Sequence, residues 1–386
     1  MRAGSGGSTR LGRVLTRFDD YPIHQAAVPI AQAGDGHPDF YDRFWFNGYT
    51  EDWFFALAMG SYPNRGVLDA AFSVVHDGEQ RSVFASGRAP HDRTITSIGP
   101  ITVEIVEPMR TSRLVIDAPE HGLEADLVFE ARTAAYEEPR QTRYTDVRLQ
   151  FDVTRATQFG AWSGTIRTPH GTISLDGQQV WGCKDRSWGT RPVGAPAPMA
   201  PLPLSPQLCF LWAPINFPDR AFHYIVFEDG DGVPWSVGGA VIPTLGPGDD
   251  TVGPDTSAER IQDVDLDIAW EPGLRRARSA GVTFRRVSSD EREHIALEPL
   301  LTFRMSGVGY SHPTWGHGRW HDELVVGGET LRCDEIDDTE MHHLHVQQVM
   351  RATWGDQRGL GVLEQLVIGP HRRRGLTGIT DGFRPG

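Results

Sequence analysis

Short runs in which every second residue is apolar, each cut off by Gly or Pro, constrain this chain more than any other feature. Val264, Leu266, Ile268 and Trp270 alternate with Asp263, Asp265, Asp267 and Ala269. Ile101, Val103 and Ile105 alternate with Thr102 and Glu104, and Val147, Leu149, Phe151 and Val153 with Asp146, Arg148, Gln150 and Asp152. A period of two puts one set of side chains in a core and the other in water, as antiparallel strands do. The breaks draw on 43 glycines and 27 prolines. Asp77-Gly78, Asp176-Gly177 and Asp231-Gly232 have the composition of tight hairpin turns. Amphipathic helical spacing is scarce. The pattern predicts an all-β chain of antiparallel barrels or sandwiches.

At 386 residues the chain is long enough for two domains. Residues 192–206 hold six prolines in fifteen positions, which a central strand cannot accommodate. They are expected as a linker between an N-terminal domain, 21–191, and a C-terminal domain, 207–386, with 1–20 as a disordered tail. A net charge of −14 argues against nucleic acid as a partner, and Arg372-Arg373-Arg374 is too short a basic run to reverse that. No stretch reaches the roughly 20 apolar residues of a membrane helix, so no integral membrane segment is expected. Cys183, Cys209 and Cys333 are odd in number and far apart, which suits a reducing, cytoplasmic setting. Oligomeric state stays open.

The segment Gly182-Cys183-Lys184-Asp185-Arg186-Ser187-Trp188-Gly189-Thr190-Arg191-Pro192 is the densest in chemistry, and it contains the only lysine. Unpaired charge is too costly to bury. The segment is therefore either a salt-bridged corner of a sheet or the polar wall of a cavity. A second cluster, Gly307 to Glu323, carries Tyr310, His312, Trp315, His317, Trp320 and His321 among four glycines. Imidazoles suit proton transfer near neutral pH. His317 and His321 have a zinc-compatible spacing, which Gly316 and Gly318 weaken by disfavouring a helix. His342-His343-Leu344-His345 follows, with His343 and His345 expected on one face of a strand.

An early aromatic group, Phe44, Trp45, Phe46, Tyr49, Trp53, Phe54 and Phe55, reads either as core or as an apolar pocket with Asn47, Glu51 and Asp52 nearby. Glu364, in an apolar strand, needs a partner if buried. An Arg of the charged segment is the expected one. No Gly-x-Ser-x-Gly elbow, P-loop or dinucleotide fingerprint is present.

The order Gln158-x-Gly160, Trp162-x-Gly164, Gly182-x-x-Asp185-x-Ser187-Trp188-Gly189-x-Arg191, Phe222-His223 to Phe227, and Gly309-Tyr310-x-His312-Pro313-x-Trp315-Gly316 resembles the AttH-like and carotenoid 1,2-hydratase (hydroxyneurosporene synthase) superfamily. The resemblance runs from about Phe44 to Leu366 and is nearest to uncharacterised bacterial members. It implies two tandem lipocalin-like β-barrels. In the carotenoid hydratases the matching segment reads aromatic-His-Asp-x-Asn-x-Gly. Here Cys183, Lys184 and Ser187 replace the aromatic, the His and the Asn, while Asp185 keeps the acid position.

The resemblance implies an enzyme working by acid–base catalysis on an apolar isoprenoid, steroid or polyketide-like molecule, by hydration, isomerisation or cyclisation. Asp185, His312 and His317 are the candidate catalytic residues. Trp53, Trp188, Arg191, Tyr310, Trp315 and His321 are the candidate substrate contacts. An acid in an apolar barrel mouth keeps its proton at neutral pH, and aromatic faces stabilise a cation. A neighbouring cation aimed at Asp185 would instead keep it ionised and hand the donor role to His312 or His317. No cofactor or metal is expected on this reading. The alternatives are a non-catalytic carrier of an apolar ligand and a metal-dependent enzyme built on His317, His321 and His342–His345.

Overall fold

Two barrels share a seam packed with buried side chains from both. The computed structural model describes residues 16, 19, 21–195, 200, 206–252 and 258–382. The expected tail apart from residues 16 and 19, and the linker residues 196–199 and 201–205, lie outside them.

Among the described residues the first half forms a nearly closed antiparallel sheet. Its order is Leu324–Arg332, Glu79–Arg88, Val67–His76, Phe54–Tyr62, Phe40–Tyr49, Trp181–Thr190, Arg148–Thr168, Leu123–Ala131, Thr111–Ala118, Ile101–Glu107 and Ser97–Ile98. Strands Leu208–Asn216, Arg220–Glu228, Pro234–Pro243, Glu259–Trp270, Ala277–Arg286, Arg292–Arg304, Val346–Trp354 and Gln357–Ile368 close into a second barrel. The expected all-β fold of two barrels is what the chain adopts. One crossing was not legible in the sequence. Leu324–Arg332, from the C-terminal half, leaves the second barrel and pairs along its whole length with Glu79–Arg88.

Local chemistry accounts for the turns. Asp77 and Gly78 both have positive φ (54° and 76°), as a two-residue hairpin turn requires, between Val67–His76 and Glu79–Arg88. Alternation sorts the side chains. Phe44, Phe46, Phe55, Phe129 and Trp162 fill the first barrel. The Trp162 indole packs edge-on against Phe46, Phe55 and Phe129 and donates to the Asn47 carbonyl at 2.8 Å. Leu211, Phe222, Phe284 and Met350 fill the second barrel. A third apolar layer, with Trp45, Phe54, Phe159, Phe210, Trp212 and Phe303, joins the outer faces of the two.

The expected water-facing alternation holds in Glu259–Trp270, where Leu266, Ile268 and Trp270 are buried. It fails in Phe40–Tyr49 and Trp181–Thr190, because their outer face meets the other barrel. Val147, expected on a core face, lies beside the Asp146 turn and is 82% exposed. The early aromatic group divides: Phe44, Phe46, Trp53 and Phe55 are first-barrel core, while Trp45, Tyr49 and Phe54 face the seam.

Trp162→Ala is expected to destabilise the protein by about 3–5 kcal/mol through the cavity it leaves. Trp162→Phe also strands the Asn47 carbonyl, at a cost of about 1–3 kcal/mol. Urea denaturation of both variants measures this.

Candidate active site

Strand Trp181–Thr190 lies between Phe40–Tyr49 and Arg148–Thr168, with Asp185 opposite Trp45 on one side and Thr157 on the other. Its alternation settles which cations reach Asp185. Lys184 and Arg186 point into the first barrel, Lys184 Nζ to Ser112 Oγ at 3.3 Å and the Arg186 guanidinium over the Phe44 ring at 3.9 Å. Asp185 and Ser187 point into the seam. There a cavity of about 90 Å³ opens between the barrels, lined by Asp185, Arg155, Arg43, Arg191, Tyr310, His345 and Glu364, with Trp45, Phe210, Trp212 and Phe227 as apolar wall.

Three polar groups meet in this seam. In the first, Arg155 Nε stands 3.2 Å from Asp185 Oδ2. That N–H makes no hydrogen bond, so the contact is coulombic and leaves the carboxylate able to hold a proton. Burial raises Asp185 to about 6. Arg155 opposes the rise, and the carboxylates of Glu138 and Glu364 add to it. Glu138 is enclosed, taking Thr157 Oγ1 at 2.9 Å and standing 2.9 Å from His223 Nε2. Burial alone would raise Glu138, but His223 and Arg155 outweigh it and hold it below the usual range.

The second group comes from the second barrel. His345 precedes strand Val346–Trp354, and its Nε2 lies 2.6 Å from Glu364 Oε1. Gln347 Nε2 donates to the other oxygen of Glu364 at 2.6 Å, and Asn47 Nδ2 donates to Gln347 Oε1 at 3.1 Å. With Nε2–H donated to the carboxylate, the remaining ring nitrogen of His345 is Nδ1, which carries the lone pair in the neutral ring. It is buried and has no partner. Glu364 therefore pairs with His345 and not with an Arg of the charged segment.

The third group surrounds Tyr310. The guanidinium of Arg43 lies 4.5 Å from its ring centre and that of Arg191 5.3 Å. Neither arginine makes an ion pair among the described residues. Burial raises the carboxyl of Asp69, which feels both, to about 6. His317 stands behind Tyr310, its Nε2 2.8 Å from the Val308 carbonyl and its Nδ1 3.1 Å from Arg43 NH1. Burial, then Arg43 and Arg191, push its pKa well below the usual value.

Of the residues read from the sequence, the cavity brings together Asp185, Arg191 and Tyr310. His317 is one layer behind, neutral, and already donating to a carbonyl. His312 lies apart against Phe84, its Nδ1 accepting from the N–H groups of Thr314 and Trp315. Trp315 stacks on Phe84 and against His321. Trp188 is 41% exposed, and Trp53 is packed in the first barrel against Phe55. The histidines of the metal reading are divided. His317 faces the Arg43 guanidinium, while His342 and His343 stack on each other beside Glu340. His342 to His345 lie in a turn, not in a strand. Arg43, Glu138 and Arg155 were missed. For Arg43 a signal was present, since it stands between Tyr41 and Trp45 on the face that alternation reserves for apolar side chains.

The model of a family of unknown function, DUF8625, matches residues 15–377, and the chain belongs to that family. No curated protein matches the sequence. Among solved structures, kievitone hydratase from Nectria haematococca is similar with a TM-score of 0.50 at 10% identity, over 84% of this chain and 88% of that one. At that identity the likeness is one of fold, and the neighbour is not a carotenoid hydratase.

The raised Asp185 pKa has a consequence for stability. Its folded value, about 6, lies above the ordinary 3.8, so the folded state binds the proton more tightly. Stability then falls as pH rises from 4 to 6 and stays lower above that. In Asp185→Asn this loss is absent. Its stability relative to the native protein should rise by about 2–3 kcal/mol between pH 4 and pH 7, as denaturant titrations at the two pH values will show.

Proposed function

We propose that this DUF8625 protein is an acid–base enzyme of hydratase type, acting on a small, largely apolar molecule at the seam between its barrels. One observation carries this reading: a buried imidazole whose Nδ1 has no hydrogen-bond partner shares a cavity with a carboxyl group that titrates near neutrality. A group able to donate a proton and one able to accept it thus line the same cavity, as proton transfer requires. The likeness of fold to kievitone hydratase supports the same class.

The charges in the cavity select the type of double bond. An isolated alkene must pass through a carbocation, which Arg43, Arg155 and Arg191 would repel. An acid of pKa about 6 is also weak for that task. A double bond conjugated to a carbonyl or quinone-type oxygen reverses the demand. Its oxygen gains negative charge, which Arg43 and Arg191, in no ion pair among the described residues, stabilise.

The steps balance as follows. His345 Nδ1 takes a proton from water while the water oxygen bonds to the β-carbon. The π electrons move to the substrate oxygen, and Asp185 delivers its proton to the α-carbon. The sum is addition of one H2O. A proton then returns from His345 to Asp185 to reset the pair. Glu364 orients His345 and stabilises its cationic form. Trp45, Phe210, Phe227 and Leu366 hold the apolar body and exclude bulk water. The same pair can shift a double bond when no water is present.

The test is turnover of a panel of conjugated enones and quinone-type aromatics in H2¹⁸O. A product gaining one ¹⁸O and one solvent proton is expected. Asp185→Asn and His345→Ala should each lower kcat by about 10²- to 10⁴-fold with the fold intact, and Glu364→Gln should lower it less. Unchanged turnover in both Asp185→Asn and His345→Ala would overturn the assignment.

A further inference from the structure

Tyr310 lines the seam cavity but takes no part in the steps above. Its placement is closely determined. The residue before it, Gly309, has a φ of 91°, where a side chain is strained. A Cβ there would also stand 2.8 Å from the Trp315 carbonyl and from the His317 ring. The Tyr310 N–H donates to the Met305 carbonyl at 3.2 Å. The phenol ring packs edge-on against two imidazoles, with centres 4.5 Å away at His317 and 4.7 Å away at His345. With the ring held on these sides, its hydroxyl has little freedom to move.

Most polar side chains lining the cavity are occupied within the protein. Glu364 holds His345 and Gln347, Arg43 meets His317, Gln141 donates to Glu138 at 3.3 Å, and Trp212 Nε1 donates to His223 Nε2 at 3.0 Å. The Tyr41 hydroxyl and the Trp45 indole N–H have no partner but are enclosed. The Tyr310 hydroxyl is neither occupied nor enclosed. It makes no hydrogen bond among the described residues, and the residue is partly accessible at the cavity it lines. Ser187 offers a second such hydroxyl. The charges distinguish the two. Arg43 and Arg191, in no ion pair among the described residues, lie 4.5 Å and 5.3 Å from the centre of the Tyr310 ring. Ser187 lies opposite Arg43 and Arg155 in its strand pairs, and Arg155 is already committed to Asp185 and Glu138.

We propose that the Tyr310 hydroxyl donates the hydrogen bond that holds the substrate oxygen on which negative charge develops. This rests on the reading of the seam as a site for a double bond conjugated to such an oxygen, and it supplies the direct contact to that oxygen. An O–H fixed beside two guanidiniums needs no reorganisation as the charge appears, which is the condition for selective stabilisation of a transition state. Tyr310 keeps its proton throughout, so the addition of one H2O balances as before. The substrate class narrows accordingly. The conjugated oxygen must be a bare acceptor, a ketone or quinone-type carbonyl, because an ether oxygen at that place gains no negative charge.

The experiment is calorimetry on the full chain at pH 5, where Asp185 holds its proton. The probe is 2,6-difluoro-4-nitrophenol, an acidic phenol that is an anion at this pH and presents its oxygen as the developing oxyanion would. The comparison ligand, 3,5-difluoronitrobenzene, has the same ring without the oxygen. The native chain should bind the phenolate more tightly. Tyr310→Phe should weaken phenolate binding about ten- to hundredfold and leave binding of 3,5-difluoronitrobenzene unchanged, a split that a merely structural role would not produce. Ser187→Ala should keep the preference. If the native chain binds neither ligand, or does not prefer the phenolate, the reading of the seam as an oxyanion site falls and this proposal with it. A preference that survives Tyr310→Phe, one that is lost in Ser187→Ala, or a Tyr310→Phe protein that loses both ligands alike overturns the Tyr310 contact alone.

Discussion

The contact between Asp185 and Arg155 in the buried seam is the constraint on which the site depends. Both residues belong to strands whose other faces build the first barrel, so neither can withdraw to water without unpacking it. Burial disfavours the aspartate anion, and Arg155 favours it. The outcome is decided by geometry: the guanidinium is close enough to attract but makes no aligned hydrogen bond through Nε. Glu138, enclosed on the other side of Arg155, competes for the same cation and is the carboxylate that stays ionised. One arginine between two carboxylates pushes their proton affinities apart, which is how a pair of like groups acquires different roles.

The seam itself follows from a sheet that is apolar on both faces. Strands Phe40–Tyr49 and Trp181–Thr190 present Phe44, Phe46, Lys184 and Arg186 inward, and Trp45, Asn47, Cys183 and Asp185 outward. The second barrel covers the outward set with Phe210, Trp212 and Phe303. Polar atoms trapped there are met mostly by side chains from the other barrel. Asn47 bonds to Gln347, Tyr49 to Asn216, and Glu138 faces His223. These pairings fix how the barrels sit, and they hold His345 and Glu364 at the cavity that Asp185 enters. Positioning and chemistry are therefore supplied by the same interface.

Much of this was legible from alternation alone. Antiparallel strands and the hairpin turns at Asp77-Gly78 and Asp231-Gly232 follow from residue types and spacing, whereas Asp176-Gly177 joins two strands that do not pair with each other, and Asp185 was singled out by the family resemblance. What sequence could not supply was the face. Lys184 and Arg186 adjoin Asp185 along the chain and looked like its electrostatic partners. A period of two sends them to the opposite side, and the true partner, Arg155, is thirty positions away on the adjacent strand. The histidine-rich stretch misled for a related reason. His312, His317 and His321 are close in sequence, yet the glycines that separate them turn each ring to different neighbours, and only Tyr310 from that stretch reaches the cavity. His345 and Glu364 were noticed singly, but their pairing depends on the register between two strands of the second barrel. The strand Leu324–Arg332 carries no mark in its sequence that it will join the other sheet.

The central claim is that Asp185 holds a proton near neutral pH in the folded protein. Carboxyl ¹³C NMR of aspartate-labelled protein tests it directly, since each carboxyl reports its own titration. The account predicts two aspartates titrating near pH 6, Asp185 and Asp69, one of which disappears in Asp185→Asn while the other remains. If no resonance titrating above pH 5 is lost in that variant, Asp185 is an ordinary ionised partner of Arg155, and the site as described has no acid.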